Sequence, residues 1–380
     1  MTTARLMSTP ADYEKLGIEP GIVRPWEDGR RDTPEPGHSE VWYFDATMED
    51  GTKTVVGFRP VDPAATATGG ESDQDTPNLN VNITAPDGTE SVDMIRVDAA
   101  DSSIATDKCD VRFGPHTVID VNGDLKSWHV HVEPVNGTGV DLHYEALVET
   151  YRAGGTSHIA LGADEEFYYT DQSVPRCRVT GTVTVDGETR EVSGEGYHDH
   201  QWFNISPLAA WHHWLWGRFY AQGYTAVIYD FVTSERFGFT RVPVFGILDP
   251  SGKVIFDNRG GADLDMETYH DDQTDKDYPK TSRYTFREGD ATVHFDITWK
   301  EIIEVRDMYG ATSDDHYGMA GAKQRAAYDA MGIKPTYMRY YADGSLTLTR
   351  DGADTPEVDV SGDMIYEFNY PGVPDERSGL

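Results

Sequence analysis

Val41-Trp-Tyr-Phe-Asp-Ala-Thr-Met48, then Asp50-Gly51, then Lys53-Thr-Val-Val-Gly-Phe58 is the stretch of this 380-residue chain from which its architecture is read. Two runs rich in aromatic and β-branched residues flank an Asp-Gly pair, and Gly tolerates the positive φ that a tight hairpin turn demands. The segment predicts a β-hairpin. The same rhythm returns along the chain: residues 80–84 and 90–97 flank a turn at 86–88, and strand-like runs follow at 127–132, 140–150, 177–185 and 190–193. It resumes at 224–232, 241–248, 253–256, 283–286, 291–300 and 336–348, with Asp249-Pro-Ser-Gly252 and Asp343-Gly344 read as turns. Runs of this length between turn signals predict meandering antiparallel sheet. One helix is expected at 317–331, where Ala320, Ala322, Ala326, Ala327 and Ala330 favour it and Gly332 ends it. The first 37 residues, rich in Pro, Gly and charge, read as an extended lead-in, and 60–77 as a polar loop.

Composition agrees with a turn-rich, all-β protein: 38% hydrophobic and 11% aromatic residues, with 37 Gly and 20 Pro. The length suits two domains, and we place them at 1–205 and 206–380, where Asn204 and Pro207 interrupt an aromatic run. The net charge of −34 is spread along the chain, which disfavours nucleic acid and anionic membrane surfaces as partners. Cys109 and Cys177 are the only thiols, so a disulfide framework is excluded. The N-terminus lacks an apolar leader and no run of about 18 apolar residues occurs, so a soluble, cytoplasmic protein without a membrane span is expected. The oligomeric state is open.

The densest chemistry lies in Gly194-Glu-Gly-Tyr-His-Asp-His-Gln-Trp-Phe-Asn204 and Trp211-His-His-Trp-Leu-Trp-Gly-Arg-Phe-Tyr220. Buried imidazoles, indoles and phenols each need a polar partner, so such a concentration marks a candidate active site. Read as strands, 197–202 places His198, His200 and Trp202 on one face and Tyr197, Asp199 and Gln201 on the other. In 211–220 the alternation groups His212, Trp214, Trp216, Arg218 and Tyr220. Within the apolar run 224–231, Tyr229 and Asp230 face opposite ways, and an Asp there is expensive unless it has a role. Acid-base chemistry on a hydrophobic substrate is the first functional reading: burial raises the pKa of Asp199 or Asp230, and Trp and Tyr faces stabilise a cation formed by protonating an alkene.

Three weaker readings stand beside it. His198-x-His200 presents two imidazoles to one ion, with His212 or His213 as a third, but no carboxylate or Cys has a companion spacing and the adjacent histidines point apart, so no metal is expected. A packed aromatic core in which His and Asp satisfy backbone and indole groups accounts for the same residues without function. In Trp128-His-Val-His131 the alternating histidines read as the solvent side of an amphipathic strand. No nucleotide loop or nucleophile elbow occurs.

The elements Val41-Trp-Tyr-Phe-Asp45, Gly194-x-Gly-Tyr-His-Asp-His-x-Trp202, Trp214-x-Trp-Gly-Arg218 and Met364-Ile-Tyr-Glu-Phe-Asn-Tyr-Pro-Gly372 resemble the carotenoid 1,2-hydratase (hydroxyneurosporene synthase) and AttH-like lipocalin superfamily. That superfamily is similar to kievitone hydratase and to fungal decalin-forming Diels–Alderases. The resemblance implies two lipocalin-like antiparallel β-barrel or β-sandwich domains, one short helix in the C-terminal one, a cavity at or near their interface and no cofactor. It also implies proton transfer to an isoprenoid double bond and addition of water, with Asp199, His200, Trp202, Tyr229 and Asp230 at the matching catalytic positions. His200 would be the hydrogen-bonded partner of the aspartates, and Tyr197, His198, Trp214, Trp216 and Arg218 would contact the substrate, unless Arg218 is structural and paired to a carboxylate. Gln201, Phe203 and Asn204 depart from the pattern of many relatives, which read Asn and then Gly after the Trp. A hydrophobic small molecule is thus the expected partner. A pericyclase that folds a polyene in a shaped pocket and a non-catalytic lipocalin-like carrier are the alternatives.

Overall fold

The computed structural model describes residues 3–31, 37–61, 75–310 and 321–380. The chain divides into two compact units, one made of 17–152 and 169–205, the other of 1–16, 153–168 and 206–380. Both are antiparallel β-structures of the all-β, lipocalin-like kind that the sequence led us to expect.

In the 17–152/169–205 unit the order begins Glu90–Arg96, Asn78–Thr84, Lys53–Arg59, Ser39–Met48, Glu188–Phe203, Phe167–Val185. It continues through Thr138–Ala146, Ser127–Val135, His116–Asp120 and Asp110–Phe113 to Ser102–Ile104. The expected hairpin forms with Trp42 opposite Phe58 and Phe44 opposite Val56. Alternate residues of these strands, Trp42, Phe44, Val56, Phe58, Val130, Leu142 and Val179 among them, converge on one core. Period-two patterning therefore decides which half of each strand is inside.

The second unit carries a nine-stranded sheet running Val254–Asp257, Arg241–Leu248, Tyr224–Thr233, Trp211–Ala221, Val358–Tyr370, Thr336–Arg350, Ala291–Asp307, Lys276–Glu288, Ala262–Asp271. Side chains from every one of these strands meet in a single core, so the sheet curls around Phe219, Phe245, Phe295, Tyr340 and Tyr366. Ala4–Leu6 pairs with His158–Leu161 in the same unit. The expected helix is present as Gly321–Met331; residues 317–320 lie outside the described residues, as do 62–74 of the expected polar loop. Among the described residues no helix is long and apolar enough to cross a membrane.

Two expectations are corrected. The lead-in is structured: besides Ala4–Leu6 it contains the helix Pro10–Leu16 and a single helical turn, Pro25–Asp28, whose Glu27 and Asp28 are buried. Polar and proline-rich sequence concealed it because its anchoring contacts are made by charged side chains. Asp343-Gly344 is not a turn but the middle of Thr336–Arg350, with Gly344 opposite both Ile297 and Gly362. A Cβ at Gly344 would stand 2.6 Å from Cδ2 of Phe219, so the glycine makes room for a core ring.

Candidate functional site

The strand Glu188–Phe203 lies between Ser39–Met48 and Phe167–Val185, and its first motif residues are glycines because neighbours press close. A Cβ at Gly196 would meet the Asp45 carbonyl oxygen at 2.5 Å and one at Gly194 the Thr47 oxygen at 2.2 Å. From there the strand alternates as the sequence indicates.

Tyr197, Asp199 and Gln201 share one side. Gln201 Nε2 donates to Asp199 Oδ1 at 2.9 Å, and Tyr169 Oη donates to Gln201 Oε1 at 2.8 Å. Asp199 stands opposite Ser173 and Tyr43, and Gln201 opposite Asp171, so two carboxyl groups occupy one buried patch. Burial pushes the Asp199 carboxyl well above the usual carboxylate range and the charge of Asp171 adds to it, against hydrogen bonds from Tyr197 and Gln201. Burial, then Asp171 and Asp199, likewise hold the Tyr169 phenol up. Burial and the proximity of a second carboxyl both favour the protonated form of Asp199.

His198 and His200 point the other way, into the core. The His198 ring stacks on Phe44 with centroids 4.0 Å apart, and its Nδ1 lies 3.0 Å from the Tyr43 carbonyl oxygen. His200 stacks on Trp42 at 4.6 Å, with Nε2 2.6 Å from Glu40 Oε1 and Nδ1 3.1 Å from the Glu27 carbonyl. Asp28 completes the set, accepting from Trp128 Nε1 at 2.9 Å and facing His198 Nε2 at 3.4 Å. Glu27 pairs with Arg152 at 3.1 Å, both almost fully buried, and burial holds the Glu27 carboxyl up against the Arg152 charge. The expectation that His200 partners Asp199 or Asp230 is thus corrected: strand alternation sends it to the side opposite Asp199, where Glu40 and the Glu27 carbonyl engage it and Asp28 lies 3.6 Å away. Trp202 follows on the same side, its ring centroid 5.0 Å from that of His200.

In the other unit, Leu215 and Phe219 enter the core of the curled sheet, which leaves Trp214, Trp216 and Arg218 on its other side. There Arg218 lies 5.8 Å from the ring centroids of both Trp216 and Tyr220, and Trp216 is opposite Tyr229. Tyr229 stacks with Phe231 at 5.7 Å. Asp230, opposite Leu215, points into the core instead, so the Tyr229-Asp230 pair is divided between two sides of one sheet. Asp230 Oδ2 accepts from Arg241 Nη1 at 2.6 Å and from Tyr284 Oη at 2.8 Å. Its Oδ1 is buried without a hydrogen-bond partner among the described residues. Burial and the Asp230 charge push the Tyr284 phenol well up.

The structure thus collects Tyr197 with Asp199, His198 with His200 and Trp202, and Trp214 with Trp216, Arg218 and Tyr229, and leaves Asp230 apart. Residues that sequence reading missed complete each group: Asp171 and Tyr169, Asp28 and Glu40, Arg241 and Tyr284. Asp171, Tyr169, Glu40 and Arg241 lie on neighbouring strands, where only the register discloses them, whereas Asp28 comes from the lead-in and Tyr284 reaches Asp230 across the core from Lys276–Glu288. A further cluster with metal-ligand spacing, His129, Asp141 and His143, lies on the strands Ser127–Val135 and Thr138–Ala146.

A family model described as the Svf1 family matches residues 75–339 of the chain. The ceramide-binding protein svf1 of Emericella nidulans is 24% identical over 240 residues, which cover 62% of this chain and 61% of that protein. The chain therefore aligns with about three fifths of that relative's length. A crystal structure described as AttH from Nitrosomonas europaea superposes with a TM-score of 0.58 at 15% identity, covering 93% of this chain and 98% of that one. Kievitone hydratase from Nectria haematococca gives 0.53 at 13% identity, covering 93% and 94%. At these identities the two structures share the fold with this chain. The resemblance to these proteins holds at the level of fold, and the family model that matches the chain is that of Svf1.

Proposed function

This chain belongs to the Svf1 family, and from that premise we propose that it binds a hydrophobic small molecule with a hydrogen-bonding head, of the ceramide class. The observation that carries this reading is the 240-residue match to a protein named for ceramide binding. A ceramide joins two long alkyl chains at a small head that bears hydroxyl and amide N–H donors. Such a ligand asks for apolar walls and a few fixed acceptors. Asp230 supports this choice, because its Oδ1 is a buried acceptor awaiting a donor, set among aromatic rings beside Tyr284 and Arg241. A hydroxyl or amide N–H placed there would satisfy an oxygen whose desolvation is otherwise uncompensated.

The test is native mass spectrometry and fluorescent-ceramide titration of the full chain, with diacylglycerol as a competitor that lacks the amide. The expected result is one ceramide per chain, weaker diacylglycerol binding, and a loss of about tenfold, or ~1.4 kcal/mol, in Asp230→Leu. Equal affinity for both lipids in the wild-type protein and the variant would refute the Asp230 assignment, and no ceramide binding at all would refute the reading.

A second reading is acid-initiated hydration or cyclisation of an isoprenoid or polyene, and one observation favours it. Asp199 is a buried carboxyl whose hold on its proton is strengthened by burial and by Asp171, the direction that protonation of an alkene requires. Incubation with acyclic polyenes in deuterated water, wild type against Asp199→Asn, separates the readings. A hydrated product with carbon-bound deuterium that disappears in the variant supports catalysis; ligand retention without turnover supports the carrier.

A further inference from the structure

The sheet of the 17–152/169–205 unit carries a set of imidazoles on its outward side that neither reading uses. Ser127–Val135 and Thr138–Ala146 run antiparallel with His131 opposite Asp141 and His129 opposite His143. The intervening Trp128, Val130, Val140 and Leu142 belong to the core, so the four polar residues face out together. His129 Nε2 lies 2.9 Å from Asp141 Oδ1, and His131 Nδ1 lies 2.8 Å from Asp141 Oδ2. The rings of His129 and His143 stack with centroids 4.4 Å apart and planes within 8°. One ligand atom from each of His129, Asp141 and His143 falls within 4.8 Å of the others.

We propose that His129, Asp141 and His143 form a binding site for a divalent transition cation of the zinc class, with His131 holding the second oxygen of Asp141. Two imidazoles and one carboxylate are a donor set that zinc, nickel and copper take in preference to magnesium or calcium. Bonds of about 2.1 Å at a tetrahedral angle put ligand atoms roughly 3.4 Å apart. The His129–Asp141 contact need open by only a few tenths of an ångström as the ion replaces the shared proton. His143 is exposed, so its ring can turn to bring a nitrogen in without disturbing the core. Water completes the coordination from solvent.

The role of His131 follows from its hydrogen bond. An N–H that donates to the distal oxygen of a ligating carboxylate fixes its orientation, the usual outer-sphere arrangement of such sites. The net charge of −34 adds a field that concentrates cations. The bland alternative is that Asp141 simply pairs two partly exposed imidazoles, an arrangement worth little in water.

The test is titration of the chelator-treated full-length protein with ZnCl2, and separately NiCl2, in competition with a chromogenic chelator. The expected result is one equivalent bound, with affinity lower by at least about tenfold in His129→Ala and in His143→Gln, and by about tenfold or less in His131→Ala. His270→Gln is the control, because His270 is exposed beside Asp277 elsewhere on the surface and its loss leaves that equivalent unchanged. His143→Gln replaces an exposed side chain, and circular dichroism establishes that each variant is folded. Zinc binding that survives both His129→Ala and His143→Gln, or the lack of any equivalent at micromolar zinc, overturns the proposal.

Discussion

At Asp199, burial and the nearby Asp171 act together against ionisation, while hydrogen bonds from Tyr197 and Gln201 act for it, and the first pair prevails. The folded-state pKa therefore lies above the unfolded value of about 3.9. Between those two values the folded protein holds more protons than the unfolded chain, so stability is greatest below the unfolded pKa and falls as pH rises through the folded one. Asp199→Asn removes this dependence, because an amide has no proton to lose. Urea unfolding at pH 4.5 and 7.5 is expected to show the variant gaining on the wild type as pH rises, by about 1.4 kcal/mol for each pH unit crossed between the unfolded and folded pKa. A difference between the two proteins that stays constant with pH would show that Asp199 ionises normally. A gain in stability with a loss of turnover would mark Asp199 as a group held at a cost because it acts.

The strand Thr336–Arg350 shows how an element can contradict its own local signal. Asp343-Gly344 is a turn dipeptide, yet the chain runs straight through it because Phe219 fills the space where a side chain would stand. Gly344→Ala is expected to cost about 1–3 kcal/mol through overpacking against that ring, read as a lower urea midpoint at unchanged slope. Retained stability would mean that Phe219 has somewhere to move. Most strands were legible, because period-two alternation and turn residues are local properties of the sequence, and so was the division of Tyr197, Asp199 and Gln201 from His198, His200 and Trp202. Register was not legible, and the missed partners on adjacent strands follow from it. Asp171 meets the Asp199 patch from the neighbouring strand Phe167–Val185, whose own sequence does not reveal which of its residues stands opposite Gln201. Asp28 and Glu27 come from a lead-in whose composition looked irregular. The Trp128-His-Val-His131 pattern was legible as the solvent side of an amphipathic strand, but not that Asp141 and His143 stand opposite it, because they carry no companion signal in their own segment.

Over the whole molecule, 66 acidic residues stand against 32 basic ones. Several bases are already shared: Lys300 lies 2.9 Å from Asp343 and 2.8 Å from Asp363, and Arg283 bridges Asp265 and Glu267. The excess of acids therefore repels across the surface, and folding concentrates that charge relative to the extended chain. Salt weakens this repulsion and also the attractive surface pairs. The pairs are exposed and each is worth only about 0–1 kcal/mol, whereas the unbalanced charge acts among all the acids, so the repulsive effect is the larger. Screening tightens from a Debye length of about 30 Å at 0.01 M to about 10 Å at 0.1 M, which spans the distances between neighbouring surface acids. Thermal unfolding in sodium chloride is expected to shift upward over that range, by roughly 2–4 °C for each kcal/mol of repulsion removed. Choline chloride at equal ionic strength should give the same shift, because screening depends on charge and not on ion identity; a rise in sodium alone would point to specific ion binding. A melting temperature that falls with added salt would mean instead that the surface ion pairs outweigh the −34 excess.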